Sequence, residues 1–187
     1  MQQNLLWPTP LWIYDLEIDP TPIIERLHLL RNQNPEIQHK SNKGPTNWQS
    51  HPDLFKEQEL VPLCDQIYFK CKEIFDVKDI FFEQMWGQIS YKNDYNNLHS
   101  HSNKFDLTGV YYPLAPSDGP CIRFRDPRPA GIANNFFNTH FDDGVWKLFQ
   151  PKTNSMYLFP SFLEHAVDIS QSNSERIVIS FDINLEK

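Results

Sequence analysis

The spacing of apolar positions changes once along the chain. Before residue 78 it is mainly helical, and after it the runs are short, β-branched and aromatic. The first run, LWPTPLWIYDLEI (6–18), alternates in part and predicts a strand. Asp19-Pro20-Thr21-Pro22 then marks a helix start, with Asp19 or Thr21 as candidate N-cap. In the segment that follows, Ile23, Ile24, Leu27, Leu29 and Leu30 fall at roughly helical spacing. Residues 34–53 are polar, with Pro, Gly, Asn and Ser, and read as loop. A second helix is predicted through DLFKEQELVPLCDQIYFKCKEIF, with Leu60, Leu63, Ile67, Cys71 and Ile74 on one face. Pro62 lies inside it and marks a candidate true start.

Beyond residue 78, KDIFFEQMWGQISYK, LTGVYYPLA, PCIRFRD, SMYLFPSF and RIVISFDINL predict strands. They are separated by turns such as Lys92-Asn93-Asp94, Pro116-Ser117-Asp118-Gly119 and Lys152-Thr153-Asn154-Ser155. Short strands at this spacing point to a sandwich or barrel. Residues 126–145 form a long polar insertion, the candidate lid or substrate loop.

Composition narrows the function classes. The chain has 187 residues, 40% hydrophobic, enough for one domain with a sizeable core. Its net charge is −7 with no basic run, which argues against a nucleic-acid groove. No apolar stretch approaches the roughly 18–20 residues that cross a bilayer. The opening MQQNLLWPTPLW lacks the basic and apolar regions of a signal peptide, so none is expected. Three cysteines, Cys64, Cys71 and Cys121, make no disulfide framework and suggest a reducing, cytoplasmic setting.

The candidate chemistry centres on NNLHSHSN (96–103). On a strand, His99 and His101 would share a face and could converge on one metal ion, although two histidines are only half a site. The alternative is a polar loop that happens to contain both. A third histidine, His165, follows the strand MYLFP, and Arg176 opens the strand RIVISF. A cation heading a buried strand needs an anion; the competing reading is a surface arginine paired with Glu175 or Asp182.

Several stretches together make the resemblance specific: LWPTPLW, TNWQSH, MWGQISY, NNLHSHSNKFDLTGVYYPL, GPCIRFRDPR and MYLFPSFLEHAV…ERIVISFDIN. In order and spacing they resemble the Fe(II)- and 2-oxoglutarate-dependent oxygenases, in particular a small branch of bacteria and phages. More distantly the chain is similar to prolyl hydroxylases. The resemblance implies an α+β fold: a double-stranded β-helix (jelly-roll) core with N-terminal helices packed on one side. It implies a single domain over 1–187, with a helical support region at 1–77 and the jelly roll at 78–187. His99 matches the first metal ligand and His165 the distal one. Arg176 matches the arginine that pairs with the far carboxylate of 2-oxoglutarate, and Tyr112 a tyrosine that bonds the same carboxylate. Tyr111 would face the other side of the strand.

His101 departs from the pattern, since most of the superfamily has a carboxylate there. Three readings stand open: His101 is a ligand in a three-histidine site, Asp106 supplies the carboxylate, or His101 contacts a ligand or substrate instead. Trp86, Gln88 and Ser90 share a strand face, with Trp86 a candidate for pocket or core. Arg123 and Arg125 suggest either an anion site or an ion-paired face. His28, His39, His51 and His140 have no convergent partners in sequence. Asn154 is expected in a left-handed turn where relatives tend to have Gly.

The implied function is an Fe(II)- and 2-oxoglutarate-dependent dioxygenase that uses O2. It would hydroxylate an unidentified, plausibly peptidyl, substrate with release of succinate and CO2, and no side chain beyond the metal centre need be catalytic. The alternatives are a cupin-type three-histidine dioxygenase not using 2-oxoglutarate, or a non-catalytic jelly-roll metal-binding module. Expected partners are 2-oxoglutarate and the substrate, with no nucleic acid or membrane, in a monomer or homodimer.

Overall fold

The computed structural model describes residues 8–35, 44–101, 104–128 and 145–187. Its strands are β1 (Trp12–Asp15), β2 (Trp48–Gln49), β3 (Asp79–Ser90), β4 (Asn96–His99), β5 (Leu107–Leu114), β6 (Ile122–Arg125), β7 (Trp146–Phe149), β8 (Ser155–Pro160), β9 (His165–Val167) and β10 (Arg176–Glu186). The helices are α1 (Thr21–Gln33) and α2 (Val61–Ile74). One sheet runs β1-β8-β5-β10-β3-β2 and the other β4-β9-β6-β7. Every strand pair within them is antiparallel. This is the jelly-roll fold that the sequence predicts, with the helices against the larger sheet.

The larger sheet is covered on both faces, so its central strands are buried along most of their length. On β10, Ile177, Ile179, Phe181 and Ile183 pack in the helix-side core with Leu27, Leu30, Leu63 and Ile67. The intervening Arg176, Val178 and Ser180 line a cavity on the other face. Strand alternation makes this partition. Burial of each such Leu or Ile contributes roughly 1.5–3 kcal/mol.

Two glycines permit the layers to close. A Cβ on Gly87 would lie 2.3 Å from Leu27 Cδ2, and one on Gly109 would lie 2.0 Å from the Phe181 ring. Helix α1 and β10 therefore sit where no other residue type fits.

Some elements differ from the sequence expectation. Residues 54–60 form two 3-10 turns rather than the start of a long helix, and α2 begins at Val61. Pro62 sits in the first turn of α2, where its missing N–H costs nothing. For α1 the capping position is Pro20, yet Asp19 Oδ1 accepts the Thr21 N–H at 3.0 Å. Trp48 and Gln49, in the stretch read as loop, pair with Ile89 and Gln88 at a sheet edge. Strands β4, β7 and β9 are too short or too polar to carry a period. Most of the 126–145 insertion lies outside the described residues, as do His39 and His140. No helix among the described residues is long and apolar enough to cross a membrane. The cysteines are free thiols, and burial pushes Cys64 and Cys71 up to about 12.

Candidate active site

His99 ends β4 and His165 begins β9, and the two are direct cross-strand partners. Their ring centroids lie 4.4 Å apart. His101 lies just beyond β4, so strand alternation does not bring it in. Its backbone N–H donates to Ser161 O at 3.0 Å, which ties it to the turn that follows β8. The three rings offer nitrogen atoms that all lie within 4.8 Å of one another.

The tautomers are set by what each Nδ1 touches. His99 Nδ1 meets Asn97 O at 2.6 Å, and His165 Nδ1 meets Leu163 O at 3.0 Å. His101 Nδ1 meets both carboxylate oxygens of Asp182, at 2.8 and 2.9 Å. All these partners are acceptors, so each neutral ring carries its proton on Nδ1 and its lone pair on Nε2. Burial, followed by repulsion from His99, pushes His165 down to about 3, so it is neutral near pH 7. Three imidazoles that keep their protons on Nδ1 and present Nε2 are a donor set suited to Fe, Zn, Cu or Ni.

A cavity of about 330 Å³ opens beside the histidines. The larger sheet lines it with Gln84, Trp86 and Gln88 of β3, Val110 and Tyr112 of β5, and Arg176, Val178 and Ser180 of β10. Arg176 is buried at 6% exposure and Tyr112 is fully buried. Arg176 Nε and Tyr112 Oη are buried without a hydrogen-bond partner among the described residues. Burial pushes the Tyr112 phenol up to about 12, although the adjacent guanidinium opposes the shift. A buried cation beside an unsatisfied hydroxyl is a receptor for an anion.

The surface reading of Arg176 does not hold. Glu175 accepts from Tyr91 Oη at 2.5 Å and contacts His28 Nε2 at 2.9 Å, while Asp182 is turned to His101. Tyr111 points to the helix-side core, where its hydroxyl donates to Asn154 Oδ1 at 2.6 Å. Asn154 has φ 67°, the left-handed turn expected of it. Trp86 stacks on His101 at 5.6 Å between centroids. Ser90 shares its face but is not a lining residue; its hydroxyl donates to Arg176 O at 3.3 Å. Arg123 pairs with Asp168 at 3.0 Å and Arg125 with Glu164 at 3.2 Å, which is the ion-paired face. His51 pairs with Glu57. Asp106 is exposed and its Oδ2 accepts the Leu185 N–H at 2.8 Å, so its carboxylate serves the end of β10 rather than the histidine group.

The sequence reading missed Gln84, Asn96 and above all Asp182. Asp182 has 0% exposure and also accepts from Thr108 Oγ1 at 2.5 Å and Gln84 Nε2 at 2.6 Å. A charged residue alternating with Phe181 and Ile183 in a hydrophobic strand was the available signal.

No curated protein sequence matches this chain. Among solved structures, a Pseudomonas putida prolyl-4-hydroxylase is similar with a TM-score of 0.62 and 12% identity, over 96% of this chain and 94% of that one. HygX from Streptomyces hygroscopicus, with nickel, 2-oxoglutarate and hygromycin B bound, gives a TM-score of 0.64 at 10% identity, over 94% and 83%. SnoK, a non-heme alpha-ketoglutarate-dependent carbocyclase from nogalamycin biosynthesis, gives 0.69 at 10% identity, over 95% and 80%. At these identities the likeness is one of fold. A family model described as "Putative 2OG-Fe(II) oxygenase" matches residues 84–182, which include all three histidines, Tyr112, Arg176 and Asp182. The chain belongs to the 2OG-Fe(II) oxygenase family, whose members use Fe(II), 2-oxoglutarate and O2.

Proposed function

We propose that the protein is an Fe(II)- and 2-oxoglutarate-dependent hydroxylase, with iron held by His99, His101 and His165 and 2-oxoglutarate held by Arg176 and Tyr112. The observation that carries this reading is the pairing, in one cavity, of three Nε2 lone pairs with two orphaned, buried polar atoms. The donor set suits iron, and the orphaned pair suits the far carboxylate of a keto diacid. Bound iron, 2-oxoglutarate and O2 would together supply the oxidising power, with succinate and CO2 released.

The chain's own residues bind, orient and exclude water. Arg176 presents a guanidinium fork that matches a carboxylate bidentately. Tyr112 donates a single hydrogen bond from a phenol that burial keeps protonated. Val110, Ile122 and Val178 line the same cavity and would give the co-substrate's methylenes an apolar wall. Trp86 fixes one face of His101.

A peptidyl substrate fits a cavity lined in part by carboxamides, since a side-chain amide that already holds one bond, as Gln84 Nε2 does to Asp182 and Asn96 Nδ2 to Gln88 Oε1, still has a second N–H to offer a backbone carbonyl. A cytoplasmic setting fits the free thiols of Cys64, Cys71 and Cys121. Anaerobic mixing of protein, Fe(II) and 2-oxoglutarate tests the assignment: a weak visible charge-transfer band is expected, and Arg176→Ala should remove it at moderate 2-oxoglutarate. An iron-loaded protein that binds no 2-oxoglutarate would reject the reading and favour a dioxygenase that does not use it.

A further inference from the structure

A metal centre held by two histidines and a carboxylate carries one negative charge in its ligand set, and a third neutral histidine in place of the carboxylate, here His101, leaves the centre one negative charge short. The structure places a carboxylate directly behind that histidine. Asp182 spans His101 Nδ1 with both oxygens, at 2.8 and 2.9 Å, and has 0% exposure. It is fixed from two further directions, by Thr108 Oγ1 at 2.5 Å and Gln84 Nε2 at 2.6 Å. No lysine or arginine pairs with it among the described ion pairs.

We propose that Asp182 is a positioning residue that replaces the missing ligand carboxylate at one remove, orienting His101 and returning its negative charge to the metal centre through the imidazole. This rests on the reading that His101 is an iron ligand. Taking a carboxylate out of water is costly unless a positive charge or several donors compensate. Asp182 has three donors and, once a divalent cation is bound at Nε2, a cation across the ring. Partners of this kind lock the tautomer and raise the basicity of the ligating nitrogen. Because β10 alternates, the same strand face that presents Arg176 to the anion also presents Asp182 to the metal side. One strand thus carries the charge complement to both ends of the proposed cavity.

The test uses Co(II) as the metal probe and Fe(II) with 2-oxoglutarate as the spectroscopic one. In Asp182→Asn the shape is kept and the charge removed. Co(II) binding to metal-free protein should weaken roughly 10- to 100-fold, the usual effect of losing such a partner. The Fe(II)–2-oxoglutarate band should move to shorter wavelength, because a less electron-rich iron gives up its electron less readily. A purely structural role would change folding stability and leave the band of the loaded protein where it was. The double variant His101→Asp, Asp182→Asn, which moves the carboxylate onto the metal, should recover Co(II) affinity relative to Asp182→Asn alone. If Asp182→Asn does not fold, Thr108→Val is measured instead, since it is nearly isosteric and takes one donor from Asp182; about 3-fold weaker Co(II) binding is expected. Affinity and band position unchanged in a folded Asp182→Asn, or affinity unchanged in the Thr108→Val substitute, would overturn the proposal while leaving the oxygenase reading intact. Wild-type protein that binds neither Co(II) nor 2-oxoglutarate would overturn both.

Discussion

The Arg176 guanidinium carbon lies 5.2 Å over the centroid of the Tyr112 ring. The contact holds the guanidinium against one wall of the cavity while Arg176 Nε and Tyr112 Oη both remain without a partner among the described residues. Charge-assisted hydrogen bonds are worth roughly 1.5–3 kcal/mol each. Arg176→Ala, which loses at least two, should therefore weaken 2-oxoglutarate binding by about 100-fold or more. Tyr112→Phe should cost about 10-fold, and Arg176→Lys should restore only part of the loss because a point charge replaces a fork. Titration of the Fe(II) protein with 2-oxoglutarate gives these values, and a Tyr112→Phe protein as impaired as Arg176→Ala would contradict the division of roles.

Metal binding should stabilise the fold. The three histidines come from β4, from the segment after it and from β9. An ion on them therefore ties the chain near residue 100 to the chain near residue 165. At about 100 times its dissociation constant, Co(II) should add ~2.7 kcal/mol to the unfolding free energy. Denaturant titration with and without Co(II) measures this gain. It should vanish in His165→Gln, whereas an equal gain in that variant would place the metal elsewhere.

Stability of the metal-free protein should fall on acidification. His165 is held down to about 3 in the fold, by burial first, and returns to about 6.5 when unfolded. Between those values the unfolded chain binds the extra proton, so stability declines as pH falls from about 6.5 towards 3. The slope from this one group approaches ~1.4 kcal/mol per pH unit. Above about pH 7 the contribution is constant. Unfolding curves of wild type and His165→Gln should thus differ in slope only on the acid side, and parallel curves at pH 4–6 would refute the assignment.

Asn154 combines two demands. Its φ of 67° favours Gly, yet its side chain accepts from Tyr111 Oη at 2.6 Å and donates to Ile18 O at 3.0 Å. Asn154→Gly keeps the turn and strands the buried phenol, costing about 1–3 kcal/mol. Asn154→Ala loses the same bonds and adds roughly 1–2 kcal/mol for a side chain in the left-handed region. Thermal unfolding should rank wild type above Gly and Gly above Ala; equal values for Gly and Ala would show that the backbone does not constrain this turn.

Much of the architecture was readable from the chain. The periodicity of Ile23, Leu27 and Leu30, and of Leu63, Ile67 and Cys71, matches the buried faces of α1 and α2. The long strands β3, β5, β8 and β10 were visible because enough residues repeat to register a period. Strands β2 and β9, of two and three residues, were not, because their pairing comes from neighbours rather than from local pattern.

The sequence by itself determined which residue types were available and in what order: His99, His101, His165 and Arg176, and one of Tyr111 and Tyr112 on the cavity side, with the family resemblance favouring Tyr112. It also determined that His101 breaks a familiar pattern. Only the tertiary structure decided where the compensating charge lies. His101 and Asp182 are 81 residues apart. In sequence Asp182 entered only in the competing reading, as one of two surface partners for Arg176. The register that pairs it with Gln84 across β3 and Thr108 across β5 turns it inward instead. Two strands paired on either side of β10 fix that direction, and such long-range pairing leaves no mark in the local order of residues.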